Sequence, residues 1–128
     1  MTTWTSSELT KIGSAEELQI ASLHSDGTLR KLVIIWVVQL GDNLYVRSVN
    51  GRTSAWFRGV QTRHEGHIRA GGVEKDVTFV EEAGLVINEK IDSAYRAKYR
   101  RYPSSVDHIN SSVARSATIK LVPRSTGS

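Results

Sequence analysis

The chain has 128 residues, 39% of them hydrophobic, with two prolines, no cysteine and a formal net charge of +4. That length suits a single domain that buries roughly two-thirds of its unfolded surface, and the lack of cysteine excludes disulfides, thiolate nucleophiles and thiolate metal sites. The charge permits an anionic ligand without demanding a polyanion.

The opening MTTWTSSELTKIG lacks the basic-then-apolar pattern of a secretory signal, and the longest apolar run, Leu32 to Val38, falls far short of a membrane span. A cytoplasmic protein with no membrane partner is expected. A short helix capped by serines is predicted from about Ser6 to Ile12, with a further turn at Ala15 to Leu18, so that residues 1–17 form an N-terminal helical segment. Trp4 precedes it without a place that local pattern assigns. The period then changes: Leu18 to His24 reads as a strand, and SDGT carries the Asp-Gly signal of a tight hairpin before a long strand from about Leu29 to Leu40. GDN turns the chain into a third strand, Leu44 to Val49. HIRAGGVEKDVTFVEE reads as another hairpin with Gly71 and Gly72 at its turn, and a helix follows from about Val86 to Tyr102, broken by Pro103 and the serines after it. ARSATIKLVP alternates as a closing strand that includes Leu121 and Val122, and residues 125–128 are expected to be a tail.

This order predicts a mainly β domain with short helices, six antiparallel strands in all. Strands linked this way in so small a chain tend to close into a barrel, because closure pairs every strand. In the second strand Leu32, Ile34, Trp36 and Val38 point one way and Val33, Ile35 and Val37 the other, so both faces are apolar. One face can fill the barrel. The other requires a helix, a ligand or a second subunit, and a homodimer is the expected cover because few helices are available.

The segment after the third strand, NGRTSAWFRG, combines arginines, hydroxyls, glycines and large aromatics. Thr53 or Ser54 is placed to cap a helix continuing AWFRGVQTRH. The start of such a helix favours an anion, most naturally a phosphate. Arg47 and Arg52 would flank it with planar forks, and Ser48 and Thr53 would add hydroxyl donors. The alternative is a plain helix cap with both arginines solvated. Trp56 and Val60, four apart, would share a face packed on the barrel; the other reading has Trp56 or Trp36 stacking on a flat ring.

The succession RKLVIIWVVQLGDNLYVRSVNGRTSAWFRGV, followed by HIRAGGVEKDVTF, resembles the flavin-binding split-barrel superfamily. It is similar to its pyridoxamine-phosphate-oxidase-like and deazaflavin-dependent nitroreductase-like members, and most of all to a small uncharacterised branch, over about Leu18 to Arg124. The resemblance implies a six-stranded split β-barrel, usually a homodimer, with FMN or alternatively a deazaflavin coenzyme in a groove at the subunit interface. It implies that the phosphate meets Arg47, Ser48, Arg52, Thr53 and Ser54, that the ring lies along the backbone near Ile34 to Val38, and that Lys75 is a further phosphate candidate. Oxidoreductase chemistry on an unknown substrate follows from the same likeness. The fuller arginine and lysine set of true pyridoxamine phosphate oxidases is missing.

Rival readings have thinner support. His64 and His67 lie three apart without a third ligand at an obvious spacing, so no metal is expected. Arg47, Arg52, Arg58, Arg63 and Arg69 could form a basic patch for nucleic acid, but Arg58 and Arg63 are five apart on a helix and point differently. A barrel that binds a small anion without turnover is the other alternative. On these readings Arg52→Ala weakens cofactor binding by about 1 to 3 kcal/mol.

Overall fold

A computed structural model describes residues 3–124; the expected tail at 125–128 lies outside the described residues. Among these, seven strands form one antiparallel sheet: β1 (Leu18–Ser22), β2 (Val33–Ile35), β3 (Val37–Leu40), β4 (Asn43–Arg47), β5 (Glu65–Ala70), β6 (Val73–Glu81) and β7 (Thr118–Pro123). Their order in the sheet is β2-β1-β5-β6-β7-β4-β3. The sequence predicts six strands, and the seventh arises because the long second strand divides at Trp36. Its first half pairs with β1, Leu18 opposite Ile35, and its second half with β4, Val37 opposite Val46. The outermost strands of the sheet are therefore consecutive in the chain. The sheet is joined to itself through a single residue, Trp36, and curls into a split barrel.

Five α-helices and a short 3-10 turn at Gly51–Thr53 complete the described fold: α1 (Ser6–Gly13), α2 (Ala55–Thr62), α3 (Leu85–Lys98), α4 (Pro103–Ile109) and α5 (Ser112–Arg115). The cap of α1 is Thr5 rather than a serine: its hydroxyl accepts from Glu8 N–H while the Glu8 carboxylate accepts from Thr5 N–H, a reciprocal capping box. This fixes the approach of Trp4, which is buried and donates its indole N–H to the Leu121 carbonyl at 3.0 Å. The interior of the barrel holds Ile20, Val37, Val46, Ile68, Phe79 and Ile119, and α2 adds Phe57 and Val60 to the same cluster.

On the outside of the sheet, Val38 and Tyr45 pack against Ile91, Tyr95 and Tyr99 of α3 and its end and against Val106 and Ile109 of α4. The helix predicted over Val86–Tyr102 stops at Lys98, and a new one begins at Pro103. A proline at the first helical position lacks only an N–H that would have no intrahelical partner, so it starts this helix as readily as it ends the last. These helices cover Val38 and part of Trp36. Ile34, on the same side of the strand, remains 58% exposed.

Candidate functional site

The division of the strand at Trp36 opens backbone groups that α3 satisfies. The Tyr99 hydroxyl accepts from Val37 N–H at 3.2 Å and donates to the Glu16 carbonyl at 2.7 Å, with the Val37 carbonyl also within 3.1 Å. Lys98 Nζ donates to that same Val37 carbonyl at 2.6 Å. The Tyr99 ring lies flat on Trp36, centroids 3.8 Å apart and planes 4° from parallel. Trp36 is thus fixed from one side by a near-parallel aromatic stack.

Burial pushes the Lys98 ammonium down from 10.5 to about 8, against the opposing pull of Glu16. Its folded value lies below its unfolded one, so across that interval the unfolded chain holds the proton that the folded chain has lost, and stability rises with pH. Burial raises the phenols of Tyr95 and Tyr99 instead, which reverses the trend above the ordinary tyrosine value of 10.0. Urea unfolding followed from neutral pH upward should show stability increasing from about 8 toward 10. Lys98→Met should lose that increase.

Beside Trp36 lies a groove of about 400 Å³, walled by Val33 to Trp36 on one side, Arg47 to Asn50 and Ser54 at its end, Trp56 from α2, and Ser105 and Ile109 from α4. Of the eight residues that the sequence offers as a cofactor site, the structure brings five to this groove: Trp36, Arg47, Ser48, Ser54 and Trp56. Trp56 lines the groove and also packs on the barrel core, with its edge against Phe57.

The arginine at the groove faces the protein. Arg47 is 1% exposed, and all its donors are engaged. Nε donates to Thr118 Oγ1 at 2.9 Å; Nη1 to Asp92 Oδ1 at 2.5 Å, Asn110 Oδ1 at 3.0 Å and the Ile109 carbonyl at 3.2 Å; Nη2 to the side-chain and main-chain oxygens of Asn88 at 2.9 and 3.1 Å. A guanidinium has five N–H groups, and here six acceptors surround them. The fork that the sequence suggests for a phosphate ties β4 to β7, α3 and α4 instead.

Ser48 and Ser54 meet across the turn, Oγ to Oγ at 2.6 Å. Ser54 occupies the cap position of α2, but its hydroxyl is turned to Ser48 and makes no cap bond to the helix. The other three candidates lie elsewhere. Arg52 donates to Glu81 at 2.8 Å and to the Ser116 carbonyl at 2.7 Å, with its guanidinium 5.2 Å over the Phe57 ring. Thr53 is exposed and reaches only the Asn50 carbonyl, at 3.5 Å. Lys75 pairs with Glu8 of α1 at 3.3 Å. Ser105 and Ile109 reach the groove from α4, a stretch the sequence reads only as the residues after a helix break.

The clustered arginines, offered by the rival nucleic-acid reading, do not form a free patch. Arg47, Arg52, Arg63 and Arg69 pair with Asp92, Glu81, Glu65 and Glu74 respectively. His67 sits between Asp76 and Glu74, its ring nitrogens 2.9 and 3.1 Å from their carboxylates. Among the described residues no helix is long and apolar enough to cross a membrane.

Residues 8–121, nearly the whole barrel, match the family described as an uncharacterized protein conserved in bacteria, DUF2255. The chain belongs to this family. No curated protein sequence matches it. Solved structures do resemble this DUF2255 chain. A pyridoxamine 5'-phosphate oxidase-like protein from Listeria innocua is 18% identical with a TM-score of 0.64, over 91% of this chain and 90% of that one. An FAD-binding protein from Mesorhizobium loti is 14% identical with a TM-score of 0.59, over 96% and 92%. The heme storage protein HutZ from Vibrio cholerae is 13% identical with a TM-score of 0.60, over 87% and 83%. At such identities the likeness carries the fold, and the fold is the mainly β split barrel of these proteins.

Proposed function

We propose that the groove at Trp36 binds a flat cofactor of the flavin type, FMN or a deazaflavin coenzyme, at an interface between two copies of the chain, and that the protein acts as an oxidoreductase. The observation that carries this reading is the setting of Trp36. It is braced from behind by Tyr99 and lines, with Trp56 and the apolar run Val33 to Ile35, a groove of about 400 Å³. Such a slot suits a rigid ring system, whose burial and stacking supply affinity at small entropic cost. The names of similar split barrels, which record FAD binding in one and heme storage in another, support a flat conjugated ligand. Pairing of four of the five clustered arginines with carboxylates supports a small ligand over a polyanion.

The groove fits the ring of such a cofactor better than its charged end. Trp36 and Trp56 would hold and orient the ring, while Ser48, Ser54 and Asn50 at the end of the groove are neutral. The bound cofactor would supply the redox chemistry, and the chain supplies position and exclusion of water.

A flavin-fluorescence titration with FMN, repeated with a deazaflavin coenzyme, should saturate near one cofactor per chain. Binding of neither would remove this reading and leave a barrel for some other ligand. The second copy of the chain is tested at Ile34, which lines the groove and is 58% exposed, whereas Val38 on the same side of the strand is buried. Ile34→Glu should halve the mass seen by light scattering and weaken FMN binding about tenfold or more, since a carboxylate at the centre of an apolar contact is desolvated without a partner. A wild-type mass equal to one chain would rule out the interface.

A further inference from the structure

We infer that the groove selects its ligand by the ring and not by a phosphate charge, so that riboflavin and FMN bind it alike. The inference deepens the flavin reading and rests on it. Among the described residues Arg47 is the only charged side chain lining the groove, and it cannot turn to a ligand. Its side chain is fully buried beside Asp92, Asn88, Asn110 and Thr118, and any movement toward the groove would leave Asp92 with only Arg115 as a charged partner and take a donor from both amides. The remaining polar groups at that end are neutral. Ser48, itself 1% exposed, shares a short hydrogen bond with Ser54, so each hydroxyl already has a partner before a ligand arrives.

A cation close by in sequence is Arg52, in the short turn 51–53 that leads to Ser54. It points away from the groove, between Glu81 and the Ser116 carbonyl, and is not among the lining residues. That ion pair is 44% exposed on its arginine side, so it is weak enough to break if a phosphate competed for it. Arg52 is therefore the residue on which the inference can fail. A dianionic phosphate held by a protein cation gains charge-assisted hydrogen bonds that a hydroxyl end cannot make, which separates FMN from riboflavin by about tenfold or more. A groove without that cation holds both through the ring. The outer part of either side chain then lies toward solvent or against neutral donors.

The test is a pair of titrations on the full chain, one with FMN and one with riboflavin, at low and at raised salt, for the wild type and for Arg52→Ala. The expected result is dissociation constants within about threefold of each other, unmoved by salt and unchanged in the variant. FMN bound about tenfold or more tightly than riboflavin, with an affinity that falls as salt rises, would overturn the inference while leaving the flavin reading in place. Loss of that preference in Arg52→Ala would identify the arginine as the cause; its retention would point to a cation from the second copy. Failure of both ligands to bind would overturn the flavin reading and the inference with it.

Discussion

Arg47→Met should lower the stability of the barrel by about 3 to 5 kcal/mol, the range for removing one partner of a buried ion pair. The methionine fills much of the volume but none of the hydrogen bonds, leaving Asp92, which is 14% exposed at its side chain, with only Arg115 at 3.1 Å as a charged partner. Asn88, Asn110 and Thr118 lose their shared donor at the same time. Arg47→Lys should recover little, because one ammonium cannot reproduce a planar fork that serves three secondary-structure elements. The midpoint of urea unfolding reads the effect. A double variant, Arg47→Met with Asp92→Leu, should be more stable than Arg47→Met alone, since it removes the stranded carboxylate as well. A single-variant loss smaller than about 1 kcal/mol would show that water replaces the network without cost.

Gly66→Ala should be the most damaging single methyl in the sheet, at about 3 kcal/mol, the upper part of the usual range for overpacking. A Cβ at this position would stand 2.2 Å from the Ala21 carbonyl oxygen and 2.7 Å from two carbons of the Phe79 ring. The ring could turn, but the carbonyl belongs to β1, the strand paired with β5. Accommodating the methyl means moving one strand away from its neighbour. Gly59→Ala makes a useful comparison. There the closest atoms are the Ser22 hydroxyl and the Arg30 side chain, which can shift, so a smaller loss is expected. Equal losses at the two sites would show that the strands separate more easily than the contact distances imply.

The contrast between what the sequence reveals and what it hides follows the range of the contacts. The turn at Asp26-Gly27 was legible because its causes are local: Gly27 has φ of 91°, and the Asp26 carboxylate accepts from the Thr28 N–H and hydroxyl. The Gly71-Gly72 turn was legible for the same reason, both residues having positive φ. No local feature marks the change of partner at Trp36. Leu32 to Val38 is apolar throughout, and only β1 and β4, on either side of it in the chain, decide which half pairs with which. Arg47 reads as a ligand fork in the sequence for a related reason, although its donors go to the protein. Its partners lie between 41 and 71 residues away, so an arginine at the end of an apolar strand looks free until the last strand is in place. Arg52 was drawn off the same way by Glu81 and Ser116, 29 and 64 residues on. The groove's aromatic wall was foreseeable from residue type, whereas the contribution of Ser105 and Ile109 depends on a helix that restarts at a proline.

In the sheet order β7 stands between β6 and β4, joining two halves that are otherwise linked only through the early strands. Val77 and Phe79 meet it from one side, Leu44 and Val46 from the other. On the ribosome, residues 118–123 leave the exit tunnel after every other strand. Until then β4 and β6 each present a row of unsatisfied amides, and Arg47 lacks Thr118. The nascent chain therefore completes its most buried charge network and this strand pairing in one event, when residues 118–123 emerge, which makes the interval before that the window in which chaperone protection matters most.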